Sequence, residues 1–169
     1  MSLKTCFVCR TNAPLMKAGL DVIRRCPRAK VLFLGRDIAK MLKDLVAEVL
    51  EWRRNVDSAE FIVLLDAWIN NIRQKYNDRE DMKAYVSEAE DNYEVLSTIA
   101  ERQSASSDII NKINDMFVDA DEIDEKDNSI VVFASGHRSK GLEFDRVVVI
   151  RYDLMPHPGA VSPEDFDQE

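Results

Sequence analysis

Neither glycine nor proline occurs between Arg36 and Ser135 of this 169-residue chain. Gly19, Gly35, Gly136, Gly141 and Gly159, with Pro14, Pro27, Pro156, Pro158 and Pro163, all lie outside that stretch. These residues are the main interruptions of helices, so their absence predicts a mostly helical middle between ends built of strands and turns. No apolar run approaches the roughly 20 residues that span a bilayer. Met1-Ser2-Leu3-Lys4 lacks the apolar stretch of a signal peptide, which sets the expectation of a cytoplasmic chain. Cysteine and histidine are scarce, at three and two. Cys6-x-x-Cys9 has only Cys26, His137 and His157 to join it, at no zinc spacing. In a strand, residues three apart also point to opposite faces. The expectation is therefore three reduced, buried thiols. Asp119-x-Asp121-x-x-Asp124 lacks the central glycine and the closing glutamate of a calcium loop, so that reading is rejected.

Basic side chains are also in deficit, 23 against 31 acidic, for a net charge of −8. Nucleic-acid binders usually carry a basic footprint, so the average argues against that class. The charges are segregated, however. Residues 1–35 are net +6, 36–129 net −11, 130–157 net +1, and the tail from 158 net −4. Such asymmetry implies segments with different tasks.

Lys4–Cys9, Val31–Leu34, Ile130–Phe133 and Val147–Ile150 are short aliphatic runs that read as strands of a parallel sheet covered on both faces. Asn12 is placed to cap a helix that Pro27 ends. Asp37 and Ser58 are placed to cap two more, with Ile38, Met41, Leu42 and Leu45, then Ile62, Leu65, Trp68 and Ile69, at helical spacing. Further helix is expected over about 79–102 and 107–117, with a solvated acidic link at Asp119–Asp127. The Trp68–Ile72 and Tyr85-Val86 stripes read as helix core, and His157 as a loop residue. The pattern is an α/β core, 1–35 and 129–169, interrupted by a helical insertion, 36–128.

Ligands bind beyond the carboxyl ends of strands in open α/β sheets. Two polar clusters fall there. Arg10-Thr11-Asn12 pairs a planar cation with an amide able to reach a base edge; the plainer alternative is a surface charge and a helix cap. Ser135-Gly136-His137-Arg138-Ser139-Lys140-Gly141-Leu142-Glu143-Phe144 offers donors for phosphate oxygens, two glycines for close approach, and a carboxylate suited to a ribose hydroxyl; the plainer alternative is a polar crossover.

The order of residues in the second cluster resembles motif V of the UvrD/Rep-like superfamily 1 DNA helicases, Thr-x-His-x-Ala/Ser-Lys-Gly-Leu-Glu. Cys9–Leu15 is similar to the strand-Arg-Thr-Asn segment opening that family's second RecA-like domain. Asp153-Leu154-Met155-Pro156 and Asp167-Gln168-Glu169 resemble the approach to motif VI. The resemblance covers roughly 4–35 and 129–169. It implies a RecA-like parallel-sheet core, a C-terminal helicase fragment, and a variable helical insertion. It implies single-stranded DNA contacts from Arg10, Asn12, Ser135 and His137. Gly141 and Glu143 would face the ATP sugar, with Lys140 supporting their loop. Ser135 replaces the family's usual threonine and keeps the hydroxyl.

Gly-x-x-x-x-Gly-Lys-Ser/Thr is absent, as is an Asp-Glu pair after an apolar strand, and the family's motif VI arginine would lie past Glu169. The expectation is a chain that hydrolyses no ATP alone. ATP and Mg²⁺ would belong to the full-length protein, with the first RecA-like domain as partner and no membrane. A competing expectation is an acidic helical protein-interaction module on a RecA-like scaffold.

Overall fold

A computed structural model describes residues 4–26, 28–123 and 130–154. Pro27, residues 124–129, and residues 155–169 with His157 and Asp167-Gln168-Glu169 lie outside them. The described residues of Met1–Gly35 and Val118–Glu169 form one compact unit, and Arg36–Phe117 another. The second boundary between the units thus falls at Phe117/Val118, whereas the sequence pattern places it at 128/129.

The first unit is α/β. Its sheet has the order β3-β2-β4-β1-β5, with β1 Thr5–Cys9, β2 Lys30–Leu34, β3 Phe117–Val118, β4 Ile130–Ser135 and β5 Arg146–Val149. The β2–β4, β4–β1 and β1–β5 pairs are all parallel. Parallel neighbours need crossover connections, and two connections here each skip a strand. Helix α1 (Asn12–Arg25) leads from β1 past β4 to β2, and residues 136–145 lead from β4 past β1 to β5.

The two connections run in opposite directions across the sheet, so right-handed crossovers put them on opposite faces. Phe7, Phe33 and Phe133 stand in register on one face, with Phe133 stacked on Phe7 at 4.9 Å and tilted against Phe33 at 5.3 Å between ring centres. Helix α1 lies over Phe33 through Gly19, where an added Cβ would come within 2.2 Å of the ring. Cys6, Val8, Leu32, Leu34, Val132 and Ala134 form the other face, and Leu142 and Phe144 of the second connection pack on it.

Three expectations need correction in this unit. Thr11 occupies the cap position of α1 and Asn12 is its first residue, so the Asn12 amide is exposed rather than spent on a cap. Strand β5 is an edge strand, and Val147 and Val149 are about half exposed, so its two faces are not covered as an aliphatic run suggests. Cys6 and Cys9 are buried free thiols, but Cys26, just past the helix, is exposed. Burial pushes the Cys6 thiol up to about 12, against the smaller opposing pull of Lys4, which keeps it protonated and inert.

The second unit holds four helices, α2 Arg36–Leu50, α3 Ser58–Tyr76, α4 Lys83–Ala100 and α5 Ser106–Met116. Leu42, Val46, Phe61, Leu65, Leu96, Ile109 and Ile113 are fully buried at its centre, one apolar stripe from each helix. The caps differ again from expectation. Helix α2 starts at Arg36, with Asp37 inside its first turn. The carboxylate of Asp57, not Ser58, accepts the Glu60 N–H at 2.8 Å. Ser58 is buried instead.

Candidate nucleic-acid and nucleotide loops

Strands β1 and β4 are hydrogen-bonded neighbours with Cys9 opposite Ser135. Both end at the same level, so Arg10 and Gly136 leave adjacent strands about 5 Å apart. The chain then departs to opposite faces, as α1 on one side and the 136–145 connection on the other. Open α/β sheets place ligands outside the carboxyl ends where such a divergence occurs. All four residues expected to contact DNA lie at this end of the sheet.

Their exposures differ. Asn12 and His137 are exposed, and Arg10 is half-buried. His137 lies in α6, the single turn Gly136–Ser139, held by Ser139 Oγ donating to the Gly136 carbonyl at 3.0 Å. Ser135 is the last residue of β4 rather than a loop residue, and it is only 9% exposed. The Arg10 Nε is buried with no hydrogen-bond partner among the described residues. An unpaired buried donor costs about 1–3 kcal/mol. Most such groups in folded proteins are satisfied, so this one stands out at the carboxyl edge.

The three residues expected to face a nucleotide lie elsewhere. Lys140, Gly141 and Glu143 sit on the run that carries the chain over the Cys6/Val8 face toward the start of β5, and all three are exposed. Gly141 has φ +82°, in the left-handed region, and the Leu142 N–H closes the turn on the Ser139 carbonyl at 3.1 Å. A cleft of about 510 Å³ opens beside this run, lined by Gly141, Glu143, Lys4 and Asp145 among others. Its size is ample for a small ligand.

Sequence reasoning missed Lys4 and Asp145. They meet because β1 and β5 pair with Thr5 opposite Arg146, and Asp145 Oδ2 accepts the Lys4 backbone N–H at 2.8 Å. The Lys4 ammonium stands 5.1 Å from the Phe144 ring centre, at the same cleft. The cleft therefore offers a carboxylate for a hydroxyl and an ammonium for a phosphate oxygen. The structure gathers the two residue sets at separate places, one at the carboxyl edge and one toward the amino edge.

Gly141 gives a clean test of the connecting turn. An added Cβ would meet nothing within 4 Å, so only the backbone conformation resists substitution. Gly141→Ala is expected to destabilise by about 1–2 kcal/mol. Gly136→Ala, whose added Cβ also meets nothing within 4 Å, should stay within about 0.5 kcal/mol. Urea unfolding of both variants measures the difference.

Among the described residues no group of three or more His, Cys, Asp or Glu side chains is arranged to hold a metal ion. Among the described residues no helix is long and apolar enough to cross a membrane. No family model, curated protein or solved structure matches the chain.

Proposed function

We propose that this chain is the second RecA-like half of a UvrD/Rep-like, ATP-driven DNA helicase. In this reading Arg10, Asn12 and His137 grip single-stranded DNA, with Ser135 beneath them, and the Gly141–Glu143 run forms one wall of the ATP cleft. The supporting observation is the Cys9–Ser135 register, which puts two sequence-distant polar clusters side by side at the carboxyl edge. The buried, unpaired Nε of Arg10 there is suited to a phosphate or base acceptor.

In the whole protein, ATP with Mg²⁺ would sit between this half and a first RecA-like domain. Glu143 accepts a hydrogen bond from the sugar, and Lys4 and Lys140 supply positive charge nearby. Closing the cleft moves Arg10, Asn12 and His137 relative to the DNA contacts of the other half, and reopening completes one step along the strand. This chain alone contributes binding surfaces and no complete phosphoryl-transfer site, so it turns over no ATP.

Amide chemical shifts test the two surfaces separately. A dT₁₂ oligonucleotide should shift Arg10–Asn12 and Gly136–His137, and ATP should shift Lys4 and Gly141–Asp145. Shifts from dT₁₂ confined to other parts of the chain, or ATPase activity sensitive to Glu143→Ala, contradict the reading.

A further inference from the structure

The helical unit carries a second surface that the proposed motor role leaves unused. A groove of about 530 Å³ runs between α2, α3 and α4. Its lining includes four carboxylates, among them Asp44, Glu48 and Glu88, against the single amine of Lys40. Two aromatic rings, Trp68 and Tyr85, line it as well. The Trp68 indole N–H donates to Glu48 at 2.9 Å, which fixes the ring beside that carboxylate. Tyr85 is 44% exposed, and Tyr76 meets it edge-on at 5.5 Å between ring centres.

Acidic side chains alone would be a solvated face, but Asn92 points to a ligand. It lines the same groove, is only 9% exposed, and its carboxamide has no hydrogen-bond partner among the described residues. Its carboxamide atoms still reach the solvent of the groove, and the oxygen suits an incoming N–H donor. Carboxylates, aromatic faces and a free amide oxygen together describe a receptor for a guanidinium. That group is planar, cationic, stacks on aromatic rings and carries five N–H donors. The charge of the whole unit agrees, with 17 acidic against 11 basic side chains over 36–117. Such a field repels nucleic acid and attracts a basic partner.

We infer that this groove docks an arginine-bearing basic peptide segment of a partner protein, one guanidinium seated against Trp68 and Tyr85 with Asn92 and the flanking carboxylates as acceptors. The inference does not depend on the helicase reading, because none of these residues belongs to the sheet unit.

The chain has two tryptophans. Trp52 is 83% exposed and tolerates replacement, so in a Trp52→Phe background emission reports Trp68 alone. Titration with acetyl-hexa-arginine amide at low salt should change that emission saturably. Hexalysine should bind at least about threefold more weakly, since an ammonium stacks less well. Asp44→Asn with Glu88→Gln, both on exposed side chains, should weaken hexa-arginine by about tenfold, and Asn92→Ala by about threefold. Glu101→Gln, some 20 Å further along α4, should change affinity less than about twofold. No saturable change, equal binding of hexalysine, or an equal loss in Glu101→Gln overturns the proposal.

Discussion

Phe133→Ala is expected to lower the unfolding free energy by about 3–5 kcal/mol, the usual cost of emptying a buried phenylalanine site. Phe133 lies on the central strand β4, is 1% exposed, and stacks against Phe7 at 4.9 Å and Phe33 at 5.3 Å. Its removal strips both neighbours of their ring contact at once. Relaxation cannot refill the space easily, because Phe33 is already held against Gly19 of α1. Total stabilities run about 5–15 kcal/mol, so a large share would vanish. Val149→Ala on the edge strand, where the side chain is 50% exposed, should cost under about 1 kcal/mol. Chemical denaturation followed by circular dichroism measures both. A loss below about 1 kcal/mol for Phe133→Ala would mean that the aromatic row is not the core of the sheet.

Arg10→Ala should separate binding from stability. Single-stranded DNA affinity should fall about ten- to a hundredfold, because a charge-assisted hydrogen bond contributes roughly 1.5–3 kcal/mol. Stability should stay level or rise by up to about 1 kcal/mol, since the variant removes a buried N–H that has no partner. Arg10→Lys should restore little of the affinity, because an ammonium lacks the planar fork. His137→Ala, on an exposed side chain, should weaken binding by a smaller factor without affecting the fold. Fluorescence anisotropy with labelled dT₂₀, paired with urea unfolding, reads both quantities. A destabilised Arg10→Ala chain with unchanged affinity would make Arg10 a structural residue.

The strands β1, β2 and β4 were legible in the sequence because each is a short, largely apolar and mostly buried run. The helical insertion was legible because neither glycine nor proline interrupts it. Strand order was not legible. That β4 slots between β1 and β2 depends on pairing between residues a hundred or more positions apart, and no local pattern encodes it. The closeness of Arg10 to Ser135, and of Lys4 to Asp145, was hidden for the same reason. Strand β3 is two residues long, too short for any periodicity. Strand β5 is apolar yet exposed, because composition reports a side chain's preference and not its position at a sheet edge. The caps slipped by one residue at Thr11 and Asp57, since several neighbouring residues are each competent to cap a helix. Of the seven site residues read from the sequence, Ser135 alone proved buried, because the strand continues one residue further than its aliphatic run.

The central claim is that an acidic chain presents a basic, strand-binding edge. The salt dependence of its affinity for dT₂₀ tests this most directly. Binding should be measurable at low salt and fall along a straight line of log affinity against log salt. Two to three phosphate contacts give a slope of about −1.4 to −2.1, at roughly −0.7 per contact on single strands. Arg10→Ala should reduce that slope by about 0.7. No detectable binding at low salt, or a slope unchanged by Arg10→Ala, would contradict the account.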